Sequence, residues 1–261
     1  MKLNTIYCEN CLDTMARMPD NFIDLTVTSP PYDNLRNYNG YEFDFESIAK
    51  ELFRVTKKGG VVVWVVGDAT INGSETGTSF KQALYFKEIG FNLHDTMIYA
   101  KINYIPLTHN RYEQEFEYMF ILSKGKPKTV NHIYINSIGG GEINNLNKAQ
   151  KVKESSMRQR LGKSIISEKK IRPNIWYYSV GYSNDFYKHP AAFPEELAMD
   201  HIKSWSNEND LIYEPFTGSG TTLKMTHLLK RNWIGSEISQ EYVDLANKRL
   251  DPYLRQKTIF D

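Results

Sequence analysis

Asp210-Leu211-Ile212-Tyr213-Glu214-Pro215-Phe216-Thr217-Gly218-Ser219-Gly220-Thr221-Thr222, followed by Leu223-Lys224-Met225-Thr226-His227-Leu228-Leu229, reads as a strand, a glycine turn and a helix. Asp210–Ile212 is the strand, and 223–229 carries helical spacing. Glycines let the backbone approach a ligand while the helix N-terminus faces it, which is the layout of a nucleotide site. The next apolar run, Trp233-Ile234-Gly235-Ser236, is a further strand and ends in Glu237. An acidic residue about 20 positions beyond the glycines is placed to bind ribose hydroxyls. Strand, helix and strand in this order predict an α/β fold built on a mostly parallel sheet.

A second stretch near the other end has the same logic. Phe22-Ile23-Asp24-Leu25-Thr26-Val27 reads as a short buried strand, and Thr28-Ser29-Pro30-Pro31-Tyr32 follows it. Two consecutive prolines end the strand, since neither donates to a ladder and each restricts the residue before it. The loop therefore sits at the carboxyl end of a strand, where open α/β sheets place ligand chemistry. It offers the Ser29 hydroxyl, the Pro30 carbonyl and the Tyr32 ring. A flat heterocycle carrying an amino group suits that set: the oxygens accept the amine hydrogens, and the ring stacks on tyrosine.

Ser29-Pro30-Pro31-Tyr32 together with Glu214-Pro215-Phe216-Thr217-Gly218-Ser219-Gly220-Thr221-Thr222 resembles the amino-methyltransferases of DNA, which modify cytosine N4 or adenine N6. The catalytic motif precedes the cofactor motif, an order similar to the permuted beta class of that family. His189-Pro190-Ala191-Ala192-Phe193-Pro194 agrees with the family's other cofactor segment. The resemblance spans nearly the whole chain. Glu214 departs from it, since members usually carry Asp there. The resemblance implies a Rossmann-like S-adenosylmethionine-dependent methyltransferase fold, α/β with helices on both faces, circularly permuted and with an inserted target-recognition region. It implies Ser29, Pro30, Pro31 and Tyr32 as catalytic residues. For S-adenosylmethionine it implies Glu214, Pro215, Phe216, Gly218, Ser219, Gly220, Thr221, Thr222, Glu237, His189, Pro190 and Phe193, with Glu9 or Asn10 at the adenine. Serine in the first motif position is commoner among cytosine-N4 enzymes, which favours N4; adenine N6 is the alternative. RNA amine methylation and an inactive nucleic-acid-binding homologue are more distant readings.

The rest of the chain alternates helix and strand. Asn4–Tyr7 is a short strand, Leu12–Met18 a helix closed by Pro19, Phe45–Val55 a helix stopped at Lys57-Lys58-Gly59-Gly60. Val61–Val66 is unbroken and β-branched, the pattern of a central parallel strand buried on both faces. Thr78–Ile89 is a helix, Phe91–Ala100 a strand, and Glu115–Leu122 alternates like a strand. Asp33–Tyr41 is polar and aromatic without period. Cys8 and Cys11 form Cys-x-x-Cys, but a zinc site needs two more ligands and the nearest histidine in sequence is His94, so no metal is expected.

Composition supports this organisation. Of 261 residues 41% are hydrophobic, enough for a full core, and no run reaches the roughly 18 apolar residues of a membrane span. Met1–Thr5 lacks a signal-peptide core, so a cytoplasmic protein is expected. Net charge is only +1, yet Lys124–Arg172 holds twelve Lys or Arg against three Glu, a net +9 that leaves −8 on the remainder. A basic insert on an acidic scaffold reads as a phosphate-contacting surface. Three regions are expected: a catalytic half at 1–123, a basic recognition insert at 124–186 and a cofactor half at 187–261. Lys151, Lys153, Arg158, Arg160 and Lys163 are the expected DNA contacts. Double-stranded DNA is the expected partner, a cognate restriction endonuclease the further one, and the protein a monomer or homodimer.

Overall fold

Along the chain, the computed structural model has β1 (Thr5–Cys8), α1 (Cys11–Ala16), β2 (Ile23–Thr28), α2 (Phe45–Val55) and β3 (Thr56–Val66). A small hairpin, β4 (Thr70–Ile71) with β5 (Ser74–Glu75), precedes α3 (Thr78–Glu88), β6 (Asn92–Lys101) and β7 (Phe116–Ser123). Six short strands follow: β8 (Tyr134–Asn136), β9 (Ile143–Asn145), β10 (Ala149–Lys151), β11 (Met157–Gln159), β12 (Lys163–Ile165) and β13 (Lys169–Ile171). The chain closes with β14 (Ile175–Tyr178), α4 (Glu195–Trp205), β15 (Leu211–Glu214), α5 (Thr221–Leu228), β16 (Asn232–Glu237) and α6 (Gln240–Leu254). The structure describes residues 1–31, 43–103, 111–141, 143–145, 149–151, 157–159, 163–179 and 194–255.

Eight strands form one sheet in the order β1-β16-β15-β2-β3-β7-β6-β14. Every neighbouring pair is parallel except the two that β7 makes, with β3 and with β6. This corrects one expectation: β3 is central, but parallel to β2 and antiparallel to β7. Burial on both faces accounts for its unbroken apolar run, and burial is indifferent to the direction of a neighbour. Val61–Val66 are all buried. The strand also begins earlier than expected. Lys57–Gly60 lie in β3, beside an irregular register between Ile23 and Leu25 of β2. Asp24 explains the polar residue in that otherwise apolar strand. Its carboxylate accepts from Lys57 Nζ at 2.6 Å and from the Leu211 N–H at 3.0 Å, tying β2 to both its neighbours.

Helix α2 shows how the layers form. Asp44 caps it, accepting the Ser47 N–H at 3.1 Å, and Ile48, Ala49, Leu52 and Val55 make its buried face. They pack with Trp64, Phe86 and Phe120 in the main core. Each side chain of the size of Ile48, Leu52 or Val55 contributes about 1.5–3 kcal/mol on burial. Helices α1, α2 and α3 touch in succession, as do α4, α5 and α6. Right-handed crossovers put these two groups on opposite faces of the sheet.

The chain divides into two compact units, Met1–Asn131 with Asn174–Asp261, and His132–Pro173. The sheet belongs to the first, including β14, which pairs in register with β6. In the second, β8 pairs with β13, β9 with β12 and β10 with β11, all antiparallel and nested in sequence. Among the described residues no helix is long and apolar enough to cross a membrane.

Candidate active site

Strand order identifies the crevice. From β2 the chain leaves through α2 to β3 on one side; from neighbouring β15 it leaves through α5 to β16 on the other. Adjacent parallel strands whose connections diverge make a topological switch point, and ligands of open α/β sheets bind outside the carboxyl ends there. The loop beginning at Ser29 follows β2, and the glycine turn follows β15. Both motifs therefore open onto one crevice.

The turn is held from below by main-chain bonds. The Thr217 N–H donates to the Ser236 carbonyl at 2.9 Å, and the Gly220 N–H to the Thr217 carbonyl at 2.8 Å. Gly220 has φ +79°, and a Cβ there would come 3.0 Å from the Ala246 Cβ. The left-handed backbone favours glycine here, and a side chain would also press on α6. Helix α5 begins at the next residue, so its N-terminal N–H groups face the crevice. Pro215, Ser219, Thr221 and Thr222 are buried, whereas Phe216 is half-buried against the rings of Phe43 and Trp64, at 5.7 and 6.2 Å between centroids.

Two buried carboxylates flank the turn. Glu237, at the end of β16, accepts the Gly218 N–H at 2.8 Å and the Ser239 N–H at 3.0 Å. Burial raises its carboxyl above the usual range, against the opposing pull of those backbone donors. Glu214 accepts the Thr28 hydroxyl, and the Phe216 N–H at 3.2 Å. Burial pushes it up to about 8, although bonds from Thr28, Thr222 and Phe216 favour the charged form. Neither carboxylate has an ion-pair partner among the described residues. Two acceptors of this kind fit a ligand that brings its own hydroxyls and a cationic group.

Of the loop after β2, expected to be catalytic, Ser29 is half-buried, Pro30 buried and Pro31 half-buried; Tyr32 lies outside the described residues, as do His189, Pro190 and Phe193. Glu9 and Asn10 follow β1, whose Cys8 is paired with Glu237, so they stand at the same edge of the sheet. Their side chains have local partners. Asn10 caps α1 through the Leu12 N–H at 2.9 Å. Glu9 accepts the Thr14 hydroxyl at 2.6 Å and pairs with Arg17, whose hydrogen bonds hold its carboxyl below the ordinary value. Of the expected DNA contacts, Lys151, Arg158 and Lys163 occupy β10, β11 and β12 in the second unit; Lys153 and Arg160 lie outside the described residues. Cys11 is buried, and that burial pushes its thiol up to about 12.

Two residues outside the sequence-based expectations support the site. Thr28 carries no signal in the sequence beyond ending a strand. Arg249 of α6 donates to the Ser219 carbonyl at 3.2 Å, to Ser219 Oγ at 3.1 Å and to Thr221 Oγ1 at 3.0 Å. It shares the Glu195 carboxylate with Lys224, whose Nζ is 2.8 Å away. Burial would raise Glu195, but the two cations outweigh it and hold the carboxyl below its usual range. An arginine at helical spacing among the apolar Val243, Ala246 and Leu250 is the one sequence signal that marks it.

Comparison with known proteins gives concordant results. A family described as DNA methylase matches residues 23–248. Orphan methyltransferase M.BamHII of Bacillus amyloliquefaciens is 55% identical over 242 residues, covering 90% of this chain and 91% of that protein. Type II methyltransferase M.HpaI of Haemophilus parainfluenzae is 28% identical over 260 residues, covering 94% and 74%. Among solved structures, PvuII DNA methyltransferase (cytosine-N4-specific) superposes with a TM-score of 0.71 at 22% identity, over 100% of this chain and 89% of that one. M1.HpyAVI in its SAM complex gives a TM-score of 0.60 at 24% identity, over 94% and 99%.

Proposed function

Because this chain belongs to the N6/N4 DNA methylase family, we propose that it transfers the methyl group of S-adenosylmethionine to cytosine N4 of a base flipped out of DNA, in a restriction-modification or orphan modification role. The observation that carries this reading is the crevice at the switch point, with the glycine turn after β15 on one lip and the chain leaving β2 at Ser29 on the other. The cofactor supplies an electrophilic methyl on a sulfonium leaving group. The turn from Gly218 to Thr222 and the N-terminus of α5 hold its amino-acid end, together with Glu214, Pro215 and Phe216, and Glu237 accepts its ribose hydroxyls. His189, Pro190, Phe193, Glu9 and Asn10 are assigned to the same ligand.

A duplex base cannot present its amine to a buried donor, so it must leave the stack. Tyr32 receives the flipped ring by stacking worth about 1–3 kcal/mol. Ser29 Oγ and the Pro30 carbonyl accept the amine hydrogens. An aromatic amine is a weak nucleophile because its lone pair is delocalised into the ring. Two acceptors stabilise the pyramidal nitrogen and aim the lone pair across the crevice, so positioning supplies most of the rate. The new N–C bond forms as the S–C bond breaks, the sulfonium leaves as a neutral thioether, and the methylated nitrogen sheds one proton to water. Lys151, Lys153, Arg158, Arg160 and Lys163 of the basic region, taken as 124–186, neutralise phosphates and set the register on the duplex.

Serine at the head of the loop is what favours N4 over adenine N6. The test is to incubate the protein with labelled S-adenosylmethionine and plasmid DNA, digest to nucleosides and identify the labelled one. N4-methylcytosine is expected. N6-methyladenine would overturn the base assignment alone, and unlabelled DNA the enzymatic reading.

A further inference from the structure

Strands β15 and β2 meet in the ladder only at Ile212 with Leu25 and Tyr213 with Thr26. On its other side β2 stays paired with β3 as far as Thr28 with Trp64. The last two residues before the catalytic loop are therefore held by a ladder on one side and border the crevice on the other.

Side chains span that open side. The Thr28 hydroxyl donates to the Glu214 carboxylate, and the Thr222 hydroxyl donates to the Val27 carbonyl at 3.3 Å. Thr28 is 0% exposed, Glu214 3% and Thr222 2%. The same Glu214 carboxylate accepts the Phe216 N–H of the turn at 3.2 Å. One carboxylate thus binds both lips of the crevice at its floor. With water excluded, a hydroxyl–carboxyl bond of this kind is directional and has no solvent substitute. The residue after Thr28 is Ser29, so the backbone that this bond anchors is the backbone that presents the catalytic hydroxyl.

The geometry points to Thr28 as a positioning residue: through Glu214 it holds the start of the catalytic loop at a set separation from the cofactor turn. This rests on the methyltransferase reading above. Thr28 touches neither base nor cofactor in that assignment. Its effect is on where Ser29 stands when the methyl is in place, and a displacement of about 1 Å costs on the order of 100-fold in rate.

The full-length chain tests this with Thr28→Val, which keeps the shape and β-propensity of threonine and removes the hydroxyl. The readouts are the single-turnover rate of methyl transfer to plasmid DNA at saturating cofactor, and S-adenosylmethionine affinity by calorimetry. The rate is expected to fall by about 10- to 100-fold while affinity stays within about 3-fold, and Thr28→Ser is expected to restore the rate. A hydroxyl that merely satisfies a buried carboxyl would lower melting temperature and leave the rate of the folded enzyme unchanged. Wild-type rate in Thr28→Val, a loss that Thr28→Ser does not restore, or an equal loss of cofactor affinity each overturns the assignment. Should Thr28→Val not fold, Thr28→Cys, a weak donor of similar size, carries the same comparison. A wild-type protein that leaves DNA unmethylated would overturn the parent reading and this one with it. Transfer by wild type and Thr28→Val alike would overturn this one alone.

Discussion

Glu214 is the residue whose physical chemistry is most exposed to measurement. Its carboxyl, ordinarily at 4.5, is pushed up to about 8 by burial. The folded protein keeps a proton there that the unfolded chain releases between those two values. Raised in the folded state, the group contributes stability that is complete below pH 4.5 and is lost as pH rises through 8. Across that window the protein free of cofactor and DNA should lose roughly 1.4 kcal/mol per pH unit from this group. Glu214→Gln, which mimics the protonated form, should flatten that part of the profile. Denaturant unfolding of both proteins from pH 5 to 8 checks it, and parallel profiles would refute it. Glu237 makes a second prediction at this scale. Under the assignment proposed above, Glu237→Ala removes an acceptor of cofactor hydroxyls and should weaken S-adenosylmethionine binding by about 1.5–3 kcal/mol in a protein that still folds. Calorimetry showing unchanged affinity would remove Glu237 from the site. Ser29→Ala should lower the transfer rate far more than DNA affinity, because the bond proposed for it matters most as the nitrogen turns pyramidal. Single-turnover rates beside DNA titrations separate the two.

At the scale of elements, β16, the turn and α5 act as one piece. The turn hangs on β16 through the Thr217-to-Ser236 and Gly218-to-Glu237 bonds, and α5 packs behind it. Gly235 is where these parts approach most closely. A Cβ there would sit 2.5 Å from Thr217 Oγ1 and 2.7 Å from Leu223 Cδ1. The Thr217 and Leu223 side chains would have to shift. Gly235→Ala should therefore cost about 1–3 kcal/mol of stability by overpacking and should also weaken cofactor binding, since the displaced atom belongs to the turn. Thermal melting with and without S-adenosylmethionine reads both effects. A variant melting like wild type, with the same cofactor-induced shift, would mean that the turn has slack. Arg249 braces the same piece from α6 by binding Ser219 and Thr221.

For the whole molecule the organising quantity is charge. Lys124–Arg172 carries +9 and the rest of the chain −8, so a near-neutral total conceals a strongly divided molecule. A polyanion is attracted to the first and repelled by the second, which steers it toward one part of the chain. Replacing Lys151, Lys153, Arg158 and Arg160 by Gln should weaken DNA binding at low salt. The slope of log affinity against log salt should fall by about 0.9 for each phosphate that is no longer neutralised. Cofactor affinity should stay as it was. Salt titrations of DNA binding would defeat the phosphate assignment if wild type and the fourfold variant ran parallel.

Most of the elements were legible in the sequence because their causes are local. The run Val61–Val66, the Asp44-capped helix ending at Val55 and the glycine turn after Glu214 each depend on residues within a few positions of one another. So does the end of β2 at Thr28, where Pro30 and Pro31 stop the strand. The second unit was less legible: β8 to β13 are three residues each, too short to impose a period, and pairing makes them strands. What only the tertiary structure decided is which elements became neighbours. That β2 lies beside β15, that β7 runs against its sheet, and that Thr28 reaches a carboxylate 186 residues away are outcomes of packing and register across the whole chain. Propensity acts over a turn or a strand, whereas strand order is chosen by the burial of faces that lie far apart in sequence. The residue types that can do the chemistry are therefore written locally, and the crevice that brings them together is a property of the fold.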